Sequence, residues 1–142
     1  MMDDEVRARA GISRTLANCA QAGDARKADA YAACFTEHGV LQLDEAIYGR
    51  EAIRQWMAAP SVIPQTQDRP AGFISHHLTT CRIELTGEVT ATVRTYWLVT
   101  SPAGIDHNGY YDDRFHKEGD EWRIEHRRPR TLWVAENSLL RG

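Results

Sequence analysis

The apolar positions of this chain change period once, from helical spacing in the first part to alternation in the last. Over residues 3–22, Val6, Ile12, Leu16, Cys19 and Ala20 fall near one stripe with charged residues elsewhere, which predicts a first helix. Gly23-Asp24 interrupts it, and Asp24 is a suitable N-cap for the alanine-rich stretch 25–35, the predicted second helix. Thr36-Glu37-His38-Gly39 is turn chemistry. Val40-Leu41-Gln42-Leu43 then reads as a short strand that ends in Asp44-Glu45. Residues 49–57 place Ile53, Trp56 and Met57 at helical spacing behind a glycine, a short third helix. The stretch 60–72 holds three prolines among mostly polar residues, which predicts a long loop of the kind that serves as a lid or binding loop.

Alternation takes over beyond the prolines. Strands are predicted over 74–85, 89–100, 105–116 and 121–133, separated by the turn residues Thr86-Gly87-Glu88, Ser101-Pro102-Ala103-Gly104 and Lys117-Glu118-Gly119-Asp120. In the second of these strands Ala91, Val93, Trp97 and Val99 form an apolar set. In the third, His107, Tyr111, Asp113 and Phe115 share a face, opposite Asp106, Tyr110, Asp112 and Arg114. Helices first and an antiparallel meander second make the class α+β. No repeat or linker interrupts the chain, so one domain over 1–142 is expected.

Composition narrows the function. The chain is 42% hydrophobic and 26% charged, with a formal net charge of −3, which gives no electrostatic reason to expect nucleic acid or an anionic membrane as partner. The basic run 123–130 reads as one solvated strand face. No apolar run is long enough to span a bilayer, and the acidic start Met1-Met2-Asp3-Asp4-Glu5 is unlike a secretory signal, so a cytoplasmic location is expected. The three cysteines form no close motif and read as buried thiols.

Candidate chemistry gathers at Ile74-Ser75-His76-His77-Leu78, where two side chains that titrate near neutral pH open the first long strand. Neighbours on a strand point to opposite faces, so one of the two at most faces any cavity. Parity favours His77, which runs with Cys81, Ile83 and Leu85, whereas His76 runs with Arg82 and Glu84; a β-bulge near the strand start would reverse this. No His-Glu-x-x-His spacing occurs, and no metal site is expected.

The chain resembles the SnoaL-like branch of the nuclear-transport-factor-2-like superfamily, which includes scytalone dehydratase and hexachlorocyclohexane dehydrochlorinase. The resemblance rests on an aspartate ahead of the second helix, Phe35-Thr36-Glu37-His38-Gly39-Val40, Gly49-Arg50-Glu51-Ala52-Ile53, the histidine on the first long strand, Gly109-Tyr110-Tyr111-Asp112-Asp113-Arg114-Phe115, and Trp122-Arg123-Ile124 with Arg127. It implies a cone, a strongly curved antiparallel sheet wrapped around N-terminal helices, with a pocket at its wide end. It also implies that the family's aspartate and histidine, Asp24 and His76 here, meet inside that pocket. The second acid often found three residues after the aspartate is Lys27 here, and the tyrosine often found five residues before it is Cys19.

A carboxylate on one imidazole nitrogen fixes the tautomer and leaves the other as a base, a pairing that supports elimination or isomerisation without metal or organic cofactor. The expected activity is therefore a lyase or isomerase acting on a small apolar, cyclic molecule, with Asp24 and His76 as catalytic pair. Tyr48, Trp56, Tyr96, Trp97 and Tyr111 are expected to wall the pocket, with His77 and His107 among them, and Arg127 or Arg128 to hold an anionic or leaving group. The alternative is the same cone holding a ligand, or serving as a dimeric accessory module, without chemistry. A homodimer is expected through an outer face carrying Tyr96, Leu98, Tyr110 and Trp133.

Overall fold

The protein is described by a computed structural model covering residues 2–60 and 74–141. Helix α1, Met2–Asp24, buries Ala8, Ile12, Leu16, Cys19 and Ala22, an unbroken i, i+3 or i+4 series, while Asp3, Asp4 and Glu5 meet the positive end of its dipole. Val6, placed on the stripe by sequence, is 57% exposed. Gly23 does not interrupt the helix. It continues through Asp24 and closes where Lys27 N–H returns to the Ala22 carbonyl and Arg26 takes a φ of 56°.

Helix α2 is only Ala28–Ala32, shorter than the predicted 25–35, and its N-cap is Lys27, without a side-chain bond. Asp24 therefore lies in the last turn of α1 and caps nothing. Strand β1, Phe35–Gln42, begins where helix was expected and runs through the predicted turn. The turn residues sit in an irregularity. Phe35 pairs with Ile124 and Val40 with His126, so the extra residues of β1 buckle out between them. Gly39 is needed there, because a Cβ would lie 3.0 Å from the Ile124 carbonyl oxygen and 3.1 Å from that of Thr36. Strand β2, Ala46–Tyr48, which sequence did not single out, pairs antiparallel with β1, and α3, Arg50–Ala58, buries Ile53 and Met57.

The long strands are β3, Ser75–Leu85; β4, Thr90–Ser101; β5, Gly104–Glu118; and β6, Glu121–Val134. They form a six-stranded sheet in the order β2-β1-β6-β5-β4-β3, antiparallel except where β1 runs parallel to β6. This is the α+β architecture expected, with one parallel pair added. The core lies between the helices and the inner face of the sheet, where Ile12, Leu16, Phe35, Ile53, Val93, Phe115 and Ile124 pack together. Among the described residues no helix is long and apolar enough to cross a membrane. The predicted loop 60–72 falls, apart from Pro60, outside the described residues.

Candidate active site

Strand register decides which side chains meet. Val93, Thr95, Trp97 and Val99 of β4 are buried on the inner face, and they pair with Asp113, Tyr111, Gly109 and His107 of β5, which brings His107, Tyr111 and Asp113 inward. Asp113 pairs in turn with Arg127 on β6. On β3, Leu78 pairs with Trp97 but Cys81 pairs with Thr95, so Thr79 and Thr80 together face Tyr96. That bulge reverses the strand's parity. Cys81, Ile83 and Leu85 carry the inward parity after it, and Leu78 and His76 before it, with His76 opposite Val99 and His77 opposite outward-facing Leu98.

His76 is held by the carboxylate of Asp24 at two points. Its backbone N–H donates to Asp24 Oδ2 at 2.8 Å, and its ring Nδ1 lies 2.6 Å from Asp24 Oδ1. A carboxylate only accepts, so the partner assigns the ring hydrogen to Nδ1 and leaves Nε2 as the free position. The side chains of both residues are more than two-thirds covered. The His76 ring packs on Trp97 at 6.0 Å between centroids, and Trp97 packs in turn against His107 at 5.5 Å and Tyr111 at 5.7 Å. Tyr111 lies against the guanidinium of Arg127, with Cζ 3.8 Å from the ring centroid.

Arg127 is not available to an anionic group. It makes two 2.9 Å bonds to Asp113, and its Nη1 donates to Cys19 Sγ at 3.2 Å, all within the core. Burial opposes its charge, but Asp113 outweighs that and holds the guanidinium well above its ordinary value. The basic run is thus not one solvated face, because Arg127 points inward at 3% exposure. Burial likewise pushes the Tyr111 phenol up, so it stays un-ionised.

Of the residues singled out by sequence, Asp24, His76, Trp97, His107, Tyr111 and Arg127 share the inner face. Five do not join them. Tyr48 is 73% exposed on the short strand β2; Trp56 is half-exposed on α3 and touches only the back of the cluster, through Tyr31 at 6.3 Å. His77 bonds Thr100 Oγ1 on the exposed side, and Tyr96 stacks on Tyr110 there. Arg128 lines a groove on that same outer side with Arg82, Arg94 and Arg114.

Two inward residues were not expected. Tyr31 of α2 is buried against Phe35, and Asp106 is buried beside His107, although simple alternation put the two on opposite faces. The pairing shift between Val99 and Thr100, which leaves Asp106 unpaired between Ile105 and His107, turns Asp106 inward. The adjacent Asp-His pair in the sequence was the available signal. Among the described residues, no three His, Cys, Asp or Glu side chains converge as a metal site.

A family model for the SnoaL-like domain matches residues 4–128. The chain belongs to the SnoaL-like domain family. This SnoaL-like domain is similar to a Mycobacterium tuberculosis protein of unknown function, at 28% identity and a TM-score of 0.76, covering 96% of this chain and 78% of that one. It shares the fold of a putative scytalone dehydratase from Novosphingobium aromaticivorans, at 20% identity and a TM-score of 0.79, covering 96% and 91% of the two chains. The same holds for a hexachlorocyclohexane dehydrochlorinase from Novosphingobium barchaimii, at 14% identity and a TM-score of 0.78, covering 95% and 93%. No curated protein matches the sequence.

Proposed function

We propose that this SnoaL-like domain is a cofactor-independent lyase or isomerase acting on a small, mainly apolar cyclic molecule, with His76 as general base and Asp24 as the group that orients it. The observation that carries the proposal is the double hold of Asp24 on His76, through backbone N–H and Nδ1 together. It sets the ring and its tautomer before substrate arrives, and Nε2 is left to take a proton from carbon. Trp97 and Tyr111 supply flat walls suited to a ring. Two structures sharing this fold are named for eliminations, loss of water in one and of hydrogen chloride in the other.

The test is exchange of the α-hydrogens of cyclic ketones and β-hydroxy ketones with D2O, followed by NMR, on the wild type and two variants. His76→Ala lowers the rate by roughly 10²–10⁴-fold. Asp24→Asn keeps an oxygen for the His76 amide but presents an NH2 to Nδ1, which drives the ring hydrogen to Nε2 and removes the base while the fold survives. Wild-type rates in His76→Ala overturn the proposal. Tight binding of such rings with no exchange by the wild type favours the ligand-holding alternative, for which Cys19, standing where a phenol would polarise a carbonyl, is the supporting observation. We propose further that the domain is a homodimer through the outer sheet face.

A further inference from the structure

We propose that His107 is a second proton-transfer residue, oriented by Asp106, and that it serves the substrate's oxygen while His76 serves its carbon. The inference rests on the proposed role of His76 and adds a residue that reading does not need.

The Asp106–His107 pair repeats the Asp24–His76 arrangement across β4, with both histidines opposite Val99 and both packed on Trp97. His107 Nδ1 lies 2.7 Å from Asp106 Oδ1. Asp106 is fully buried and its carboxylate is saturated with donors: the Ser138 hydroxyl, Ser101 Oγ at 2.7 Å, and the Leu139 amide at 3.0 Å. Burial alone would raise this carboxyl, but those bonds and His107 reverse the effect and hold it well below the usual carboxylate range. A carboxylate locked in its ionised form cannot donate to Nδ1. His107 must donate to it, and Nε2, which has no hydrogen-bond partner among the described residues, is the nitrogen left for a ligand.

Trp97, packed on both imidazoles, adds an independent sign that something polar belongs beside them. Its indole Nε1–H is buried and has no acceptor among the described residues, in a side chain only 6% exposed. An orphaned buried donor is destabilising, so its persistence here points to an acceptor brought by the ligand. The six-membered side of the indole lies over Gly109, midway along β5 between His107 and Tyr111, where a Cβ would approach Trp97 Cζ2 to 2.7 Å. The ligand class is then a ring bearing a carbonyl or hydroxyl oxygen close to an acidic C–H.

In the step itself, neutral His76 Nε2 takes the hydrogen from carbon, and the C–H electron pair becomes a C=C bond. The C=O π pair moves to oxygen, which receives the Nε2 proton of His107 in its imidazolium form. His76 ends protonated and His107 neutral, the substrate is an enol, and exchange with solvent restores both rings. In an elimination the same proton goes to the departing oxygen.

The experiment pairs ring ¹⁵N spectra with the exchange assay, using α-tetralone as probe. His107→Asn is the chosen variant because its side-chain NH2 replaces Nδ1–H toward Asp106. In the wild type, on the alkaline side of the histidine range, His107 is expected as the Nδ1–H tautomer, and its Nε2 signal shifts on adding the probe. His107→Asn is expected to lose kcat by roughly 10²-fold with KM little changed and melting temperature retained. A resting Nε2–H tautomer, an Nε2 signal that does not move at saturating probe, or wild-type kcat in His107→Asn overturns the inference. If His76→Ala alone fails, the first reading stands without this one. If His107→Asn alone fails, the assignment of His76 falls and takes with it the division of labour inferred here.

Discussion

A carboxylate accepts hydrogen bonds and donates none, so Asp24 and Asp106 each decide where the hydrogen of the facing imidazole sits. Asp106 does so under the heavier constraint, because its bonds also tie the chain end at Ser138 and Leu139 to β5. Its folded carboxyl is depressed, so its contribution is fully present above the unfolded value of about 3.9 and is lost as pH falls through the lower folded value. Asp106→Asn is expected to cost about 1–3 kcal/mol in urea melts at pH 7, and the gap to wild type should begin to close below about pH 4 and narrow further as the pH falls. A gap that stays constant from neutral to acid pH would show that Asp106 does not titrate in the way its bonds require. At this scale the sequence was a partial guide. Asp24 and His76 were legible through family resemblance, whereas Asp106 was hidden because alternation assigned it to solvent, and Tyr31 because helix periodicity says nothing about distant strands.

Of the sheet's β-bulges, three decide which side chains meet at the candidate site, the third, at Glu125 on β6, placing Arg127 inward. The one at Thr79 and Thr80 turns His76 inward while keeping Ile83 and Leu85 on the core side, which no regular strand achieves, since one residue of slip exchanges every face. Deleting Thr80 removes the extra residue. With Thr79 alone opposite Tyr96, Leu78 still meets Trp97 and His76 still meets Val99, so the ladder becomes regular without changing which histidine faces inward. The expected outcome is a folded protein that keeps proton exchange and the Asp24 bond to His76, read from activity and a crystal structure. Loss of both in a folded variant, with His77 found inward, would mean that pairing with β4 does not set the register of the strand's first half. The second bulge, beside Asp106, works in the same way on β5. The first was anticipated from parity only as a bulge near the strand start, and the second not at all, because a bulge is a mismatch between two strands and only the pair contains it.

For the whole molecule, the sheet sorts its residues into a covered inner face and an outer face that keeps large apolar groups in water. Tyr96 is 40% exposed, Trp133 51% and Leu132 58%, with Tyr110 stacked on Tyr96 at 5.5 Å. Exposed apolar area of this kind gains by being covered, at about 25 cal/mol per Å². The proposed homodimer is therefore expected to show twice the chain mass of 16.1 kDa in light scattering, and Tyr96→Glu with Trp133→Glu to reduce it to one. A wild-type monomer at micromolar concentration would rule this face out as a self-association surface.

The sequence by itself determined the class and order of elements, because period 3.6 followed by period two is a local property, and each apolar stripe needs only its own neighbours to be recognised. It also supplied, through resemblance, the identity of one aspartate and one histidine. Tertiary structure alone decided that these two lie across fifty-two residues within hydrogen-bond reach, that Arg127 is consumed by Asp113, and that a second Asp-His pair faces the same indole. Those facts depend on strand register and on where the bulges fall, and register is a relation between segments that no single segment carries.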